Sequence, residues 1–317
     1  MNNPGVERIV AQFDPEYAQI QNPNERLNRL SSIAAKDWDF RRGRERYEVV
    51  ANEPMDQEGA ELGKIILDGA KQAEMASSST ATLKHYAILA ILGGANKSPY
   101  YRLKYALEQD VTYDKLVFLA CEREVLPPEQ AQAAAYTLNA RTEYDLGIGA
   151  IKALLGTELV DGKEYELVQP NWRISHFQKN DGTPILVLSA PPLDGRQRAN
   201  TSDTYKFLLQ TEEESIGLGK DILFSTAATY QYAQYFDAVR DILLQTGANI
   251  EVIGYELAYS GMEYKPSKSL QELKSAVDAA VRLRDALKKY GAEIHYTKAG
   301  LPEFLGEYSK SKYRRLQ

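Results

Sequence analysis

A glycine pair followed by a Ser-Pro helix start is the feature of this sequence best suited to bind a ligand. The segment "AILGGANKSPYYRLKYA" begins as an apolar run, turns at Gly93 and Gly94, and takes up helical spacing after Ser98. Glycines permit a sharp turn and a close approach by a ligand. A helix N-terminus offers free N–H groups and the positive end of a dipole. The pattern therefore predicts an anion-binding corner, although it matches neither G-x-x-x-x-G-K-[ST] nor G-x-G-x-x-G.

The polar side chains around this corner are the first candidate ligand-binding residues. Ser98 is expected to cap the helix and Pro99 to occupy its first position. Lys97 and Arg102 are expected to reach the mouth of the site. The predicted ligand-binding set here is Gly93, Gly94, Asn96, Lys97, Ser98 and Arg102. A tight turn that binds nothing is the alternative reading of the same residues.

Other polar segments follow apolar runs further along the chain. Glu122 comes directly after "KLVFLAC", and the segment "ANTSDT" supplies Asn200, Thr201 and Asp203. Thr226 lies at the end of "DILFSTA". Several polar loops at one sheet edge indicate a small-molecule pocket. We expect Asn200, Thr201 and Thr226 to bind the ligand and, if a reaction occurs, Asp203 or Glu122 to act as general base.

Metal and nucleophilic chemistry are poorly supported by the residue spacing. His85, His176 and His295 are far apart in sequence, and neither H-x-E nor C-x-x-C occurs, so no metal site is predicted. Cys121 ends an apolar run, which is typical of a small buried filler. The G-x-S-x-G elbow of serine hydrolases is also missing.

The elements that must position these residues alternate along the chain from about residue 84. The short apolar runs are "YAILAILG", "KLVFLAC", "PILVLSA", "DILFSTA" and "NIEVIGY". Amphipathic stretches follow four of them, a pattern typical of a parallel sheet covered on both faces. The sequence therefore predicts an α/β protein with a Rossmann-like, doubly wound, mostly parallel sheet.

Two regions depart from this alternation. Residues 1–80 have apolar residues at helical spacing and predict an N-terminal helical region, with residues 81–317 forming the α/β domain. Alternation at Trp172, Ile174 and His176, followed by "NDG", predicts a β-hairpin insertion at about 160–184. The last long helix is expected to end at Gly291.

Composition limits the partners and the compartment. The 317-residue chain has a formal net charge of -6 and a pI of about 5.4, which argues against nucleic-acid binding. A single cysteine fits a reducing cytoplasm. No apolar run is long enough to span a membrane and the first residues do not resemble a signal peptide. We expect a cytoplasmic protein without a membrane span, its basic C-terminal segment "YSKSKYRRLQ" a solvated end.

The order of these motifs resembles the SanA/ElyC/YdcF family. The glycine-rich first loop and the arginine on the next helix match Gly93, Gly94 and Arg102. An N-T-x-E-N-like element resembles "NTSDT", with Asp203 where Glu is usual and Thr204 where Asn is usual. The resemblance extends over residues 84–260, and the family's helix start after the second strand corresponds to Glu122 through Glu129. The segment after "LFST" departs from the pattern, since alanine, threonine and tyrosine replace the usual basic residues.

The resemblance implies a Rossmann-like fold and, by analogy with a soluble member of that family, S-adenosylmethionine as a possible ligand. With the residues above, it leads to one functional expectation: binding of a nucleotide-like or phosphate-bearing small molecule at the carboxyl edge of the sheet, possibly with transferase or hydrolase activity. A methyltransferase is a narrower version, in which Glu122 would contact a ribose. The cofactor itself is not determined by the sequence.

Two rival functions remain open. A non-catalytic ligand-binding or sensing protein would bind a small molecule without turnover. An interaction protein without a small-molecule ligand would use its many tyrosines, 21 in the chain, to form an oligomer interface.

Overall fold

Seven strands form one central sheet in the computed structural model. The structure describes residues 3–42, 53–193, 196, 198–289, 295–296 and 302–303. The strands of the sheet are β1 His85–Leu92, β2 Thr112–Cys121, β3 Tyr165–Gln169, β4 Trp172–Gln178, β5 Pro184–Ala190, β6 Asp221–Ala227 and β7 Asn249–Tyr255. Their order is β3-β4-β5-β2-β1-β6-β7. Two short strands, β8 His295–Tyr296 and β9 Pro302–Glu303, pair separately.

Five neighbouring strands of the sheet are parallel. β2 pairs in parallel with β5 and β1, and β6 pairs in parallel with β1 and β7. Numbered among themselves along the chain, these strands lie in the order 3-2-1-4-5. The order reverses between β1 and β6, which is the switch point where open α/β sheets bind ligands. The predicted Rossmann-like α/β fold is confirmed.

The predicted hairpin insertion is also present. β3 pairs antiparallel with β4, and β4 pairs antiparallel with β5, so the hairpin extends the parallel sheet at one edge. The predicted Asn-Asp-Gly turn connects β4 to β5. Gly182 there has a φ of +91°, a conformation that favours glycine. Its N–H donates to the carbonyl of Lys179 at 2.9 Å.

Ten α-helical segments accompany the strands among the described residues. They are α1 Pro4–Val10, α2 Pro23–Asp37, α3 Glu61–Gln72, α4 Ser98–Leu107, α5 Pro127–Ala133, α6 Glu143–Leu155, α7 Thr201–Thr211, α8 Gln231–Ala238, α9 Leu244–Thr246 and α10 Pro266–Lys289. The stretch between β2 and β3 contains two helices, α5 and α6, because Thr142 caps a new helix by accepting from the N–H of Asp145 at 3.2 Å.

The described residues form two compact units. The first comprises those within Met1–Ser77, Ala228–Arg240 and Met262–Gln317. Its core joins buried apolar residues of α1, α2, α3 and α10, including Leu27, Leu30 and Leu270. The second comprises Ser78–Ala227 and Asp241–Gly261 and contains the seven-stranded sheet. The domain boundary that the sequence suggests after residue 80 stays a prediction.

Two further expectations concern the ends and the helices. The predicted helix end at Gly291 and the basic C-terminal segment lie outside the described residues. No helix in the described part of the chain is long and apolar enough to cross a membrane.

Candidate functional site

The corner between β1 and α4 has no room for a side chain at Gly93 and little room for one at Gly94. A Cβ at Gly93 would lie 2.4 Å from the carbonyl oxygen of Leu119 on β2, a distance that requires the backbone to shift. A Cβ at Gly94 would lie 3.3 Å from Ser98 Cβ and 3.4 Å from Arg102 Nη1. The glycine pair thus lets the chain turn tightly against β2 and lets the Arg102 side chain approach.

Arg102 lies inside this corner rather than at its mouth, so the expected position of its side chain is wrong. The residue is 4% exposed, and its Nη1 donates to the carbonyl of Leu92 at 2.9 Å and to that of Gly93. The carbonyl of Arg102 accepts from Ser225 Oγ at 2.8 Å. The guanidinium satisfies carbonyl groups at the end of β1, where the strand ladder stops. Arg102 therefore connects β1, α4 and β6.

The outer part of the corner presents backbone donors. Asn96 has a φ of +59° and Lys97 has helical angles, so the chain passes from a left-handed to a right-handed residue. Such a succession can direct neighbouring N–H groups to one side and form an anion-binding concavity. Helix α4 begins at Ser98, one residue earlier than expected, so Lys97 rather than Ser98 is in the capping position. No side chain caps the helix.

Two side chains of the outer corner have unused polar capacity. The Oδ1 atom of Asn96 is shielded from solvent and has no hydrogen-bond partner among the described residues. No ion pair is recorded between the Lys97 ammonium and another residue in the described ranges. The N–H of Ser98 is already used, since it donates to the Ala95 carbonyl at 3.1 Å. An anion would therefore meet the backbone N–H groups between Gly94 and Lys97 and the Lys97 ammonium, because Asn96 Oδ1 is an acceptor.

The corner between β5 and α7 is closed by its own side chains. Asn200 Oδ1 accepts from the N–H of Asp203 at 3.0 Å, and Asp203 Oδ2 accepts from the N–H of Asn200 at 2.9 Å. This is a reciprocal capping box. Asp203 is 1% exposed, and its Oδ1 accepts from Arg196 Nη2 at 2.7 Å. Thr201 begins the helix, and its carbonyl accepts from Thr204 Oγ1 at 2.8 Å.

Glu122, the other predicted general base, is held by an arginine from the hairpin. Arg173 on β4 donates to both carboxylate oxygens, at 3.0 Å and 2.9 Å, and Ser189 Oγ donates to one of them. The Arg173 guanidinium also lies 4.2 Å from the ring centre of Tyr144. This bidentate pair anchors the end of β2 to the hairpin and fixes the orientation of the Glu122 carboxylate, whose role as general base stays a prediction.

A buried ionic cluster occupies the start of the β2–α5 loop. Arg123 Nε donates to Glu143 at 2.6 Å, and its Nη2 donates to both oxygens of Glu129 at 3.1 Å. Cys121 Sγ lies 3.5 Å from the Glu143 carboxylate. Burial, and then the Glu143 charge, raise the pKa of the Cys121 thiol to about 12. The thiol is therefore protonated at neutral pH and is not an activated nucleophile.

Sequence reasoning missed the partners in both clusters. Arg173 and Glu143 lie far along the chain from the residues that they hold, at separations of 51 and 20 positions. No local motif connects them. The only available signal was the hairpin prediction itself, which places a β4 residue beside the end of the sheet.

Thr226 lies at the end of β6 beside the switch point. It is fully buried, and its Oγ1 has no hydrogen-bond partner among the described residues. The ends of β1, β2 and β5 are neighbours at the same edge, so the corner before Ser98 and the corner before Thr201 are separated by one strand, or about 10 Å across the sheet. The predicted residues thus share one edge but do not converge on one point.

The three histidines do not meet at a metal centre in the described part of the chain. His85 lies at the exposed start of β1, and the side chain of His295 lies outside the described residues. His176 on β4 stacks against Tyr165, with ring centres 4.2 Å apart, and burial lowers its pKa. No group of three or more His, Cys, Asp or Glu residues that could hold a metal is found among the described residues.

The fold and the site define an α/β protein with a Rossmann strand order, in which the helix start after β1, at the switch-point edge, has no side-chain cap. Residues 1–65 match the model of a family described as the Rv3785 N-terminal domain. Over 312 aligned residues the chain is 25% identical to "Uncharacterized protein Rv3785" of Mycobacterium tuberculosis (strain ATCC 25618 / H37Rv). It is equally similar to "Uncharacterized protein Mb3814" of Mycobacterium bovis (strain ATCC BAA-935 / AF2122/97). Each alignment covers 88% of this chain and 86% of the relative. No solved structure matches the chain.

These findings correct the resemblance to the SanA/ElyC/YdcF family. The chain is similar to Rv3785 proteins instead. The short motifs behind the resemblance have local structural causes: Gly93 avoids the Leu119 carbonyl, and Asn200 with Asp203 caps α7. Because any α/β protein meets the same needs, such motifs are poor evidence of kinship. S-adenosylmethionine was implied only by that family and is not supported.

Proposed function

We propose that this protein binds a small phosphate-bearing, nucleotide-like molecule at the corner between β1 and α4. The observation behind the proposal is the uncapped start of α4 at the switch point, immediately after the left-handed residue Asn96. Backbone N–H groups and the helix dipole attract an anion there. The Lys97 ammonium adds a cation at the same place.

An aromatic pair beside the loop favours a nucleotide-like ligand over a bare phosphate. Tyr136 Oη donates to the carbonyl of Asn96 at 2.8 Å, which holds its ring beside the loop. The rings of Tyr100 and Tyr136 have centres 5.1 Å apart, and both residues are partly exposed. Tyrosine rings of this kind provide a stacking surface for a base.

The proposed activity is binding without turnover. Asp203 is engaged by the Asn200 N–H and by Arg196, and Glu122 is engaged by Arg173 and Ser189. A general base must also reach the proton that it removes. The Asp203 carboxylate is almost fully buried and the Glu122 carboxylate is held in one orientation by Arg173 and Ser189, which supports a ligand-binding or sensing role.

Titration calorimetry with inorganic phosphate, pyrophosphate, adenosine and ADP tests the proposal on the full chain. We expect ADP to bind more tightly than pyrophosphate, and adenosine alone to bind weakly. Lys97→Ala should weaken ADP binding about tenfold, the loss of roughly one charge-assisted contact. Lys220→Ala is the matched control, because Lys220 is exposed just before β6, at the opposite edge of the sheet.

The outcomes separate the site from the ligand class. If phosphate and ADP bind with equal affinity and Lys97→Ala abolishes both, the corner is the binding site but the tyrosine rings do not contact the base. ADP binding that is unchanged in Lys97→Ala would place the ligand elsewhere. Absence of binding by all four compounds would overturn the proposal.

A further inference from the structure

The two outer strands of the central sheet, β7 and β3, differ in whether another segment covers their outer side. Along β7, the Ser79 N–H donates to the Gly254 carbonyl at 2.9 Å and the Gly254 N–H donates to Ser79 Oγ at 3.0 Å. The Thr82 N–H donates to the Glu251 carboxylate at 2.8 Å. Segment 78–82 therefore covers this edge. At the other edge, β3 pairs with β4 on one side, and no described segment pairs with its outer side.

Strand β3, which no described segment covers on its outer side, is also unusually apolar for an exposed edge. All five of its residues are exposed. Tyr165, Leu167 and Val168 are 56%, 47% and 58% exposed, and they are half of the six large exposed hydrophobic residues recorded in the described ranges. Apart from the single charge of Glu166, the strand lacks the usual protections of a sheet edge, since it contains no lysine, proline or bulge. An edge of this kind is a template for another strand.

We propose that β3 pairs antiparallel with β3 of a second copy of this chain, about a two-fold axis through Leu167. In such a pair, directly opposed residues have side chains on the same face of the sheet. Because side chains alternate between the two faces along a strand, opposed residues are both odd-numbered or both even-numbered. The Leu167 axis sets Leu167 opposite Leu167, Glu166 opposite Val168 and Tyr165 opposite Gln169. No like charges face each other.

Two-fold axes through the neighbouring residues give less favourable pairs, so we expect a single register. An axis through Glu166 places two carboxylates directly opposite each other, which is destabilising. An axis through Val168 places Pro170 opposite Glu166, and proline has no N–H to donate. The Leu167 axis avoids the first conflict and sets Pro170 opposite Glu164, outside the five residues of β3.

The neighbours of β3 on β4 support the same register. Leu167 is paired with the buried Ile174, so the dimer has a continuous apolar row of Ile174 and Leu167 from both copies. Glu166 would be partly covered, but its carboxylate already accepts from Tyr144 Oη at 2.9 Å and lies 3.7 Å from Arg173. Its charge is thus compensated before the second copy arrives.

Sedimentation velocity over a concentration series tests the dimer. The wild type should show a mass that rises with concentration, because a single strand pair buries a small interface. Leu167→Lys places two ammonium groups opposite each other and should raise the dissociation constant about tenfold or more. Leu218→Lys is the control, since Leu218 is 62% exposed outside the hairpin. A wild type that stays monomeric throughout, or equal loss in both variants, overturns the proposal.

Disulfide capture tests the register without depending on affinity. Directly opposed residues have Cα atoms about 4.5–5.5 Å apart, within the range of a disulfide. Leu167→Cys should therefore form covalent dimers under mild oxidation. Tyr165→Cys should not, because the two copies of residue 165 are four positions out of register. Leu218→Cys reports random collision, and the buried Cys121 is common to all samples. Capture through Tyr165→Cys or Leu218→Cys as strong as through Leu167→Cys overturns the register.

Discussion

The corner after β1 and the corner after β5 both lead a parallel strand into a helix, yet they treat the helix start in opposite ways. After β5, Asn200 and Asp203 occupy each other's N–H groups and Arg196 neutralises the carboxylate. After β1, no side chain caps α4 and a lysine precedes it. The helix start after β5 has its N–H groups and carboxylate satisfied without a ligand, whereas the helix start after β1 has unused donors.

The difference shows that polar residues at a sheet's carboxyl edge are not all candidates of the same kind. Asn200 and Asp203 have the residue types of a binding site, but their polar atoms are used within the helix start. At the other corner, the Asn96 Oδ1 atom and the Lys97 ammonium have no partner among the described residues. What distinguishes a binding corner is the donor and acceptor capacity that the fold leaves unused.

The largest expected effect comes from opening the closed corner. Asp203→Ala should lower the free energy of unfolding by about 2–4 kcal/mol, because it leaves the Asn200 N–H and Arg196 without their buried acceptor. Urea denaturation followed by circular dichroism measures this change. Asp203→Asn keeps an acceptor and should cost less. Unchanged stability with a loss of ADP binding would contradict the structural role assigned to Asp203.

Arg102→Met is the next largest change and tests the inner part of the open corner. The methionine keeps the apolar stem but removes the donors to the Leu92 and Gly93 carbonyls. We expect a loss of about 1–3 kcal/mol in the free energy of unfolding. Normal stability together with lost ADP affinity would show instead that the guanidinium contacts the ligand directly.

The sequence predicted the fold better than the site. Five apolar runs separated by helical stretches were enough for the sheet class, since buried parallel strands must be apolar on both faces. The "NDG" turn predicted where the hairpin joins β5. These features are local, so they are visible along the chain.

The site depends on contacts between distant residues, which is why only its location was predictable. The glycine pair indicated the corner, but nothing local shows that Arg102 turns inward or that Arg173 reaches Glu122 across 51 positions. The residue types of "ANTSDT" predict a ligand site, whereas the three-residue spacing of Asn200 and Asp203 also suits a capping box. Family resemblance failed for the same reason, because short motifs report local backbone needs.

Substitutions at Asn96 distinguish the contribution of the backbone from that of the amide side chain at the corner between β1 and α4. Asn96→Ala should cost about 1 kcal/mol, since alanine is disfavoured at positive φ, whereas Asn96→Gly should cost little or nothing. If the backbone N–H groups bind the anion, Asn96→Gly should keep its affinity for ADP. Calorimetry and thermal unfolding of the two variants give both quantities. Lost affinity in Asn96→Gly would assign binding to the amide side chain.

Lys97→Asp has the smallest expected effect on stability. It tests the comparison directly, because it places a carboxylate at the start of α4, as Asp203 does at the start of α7. A carboxylate at the start of α4 interacts favourably with the helix dipole, so stability should rise by about 0.3–1 kcal/mol. The same charge repels phosphate, so ADP should bind more weakly than it does to Lys97→Ala. Thermal unfolding and calorimetry on the three proteins measure the two opposite changes. Stability and affinity that rise together would mean that the corner holds no anion, because a negative side chain cannot improve both the helix start and the binding of a phosphate at the same N–H groups.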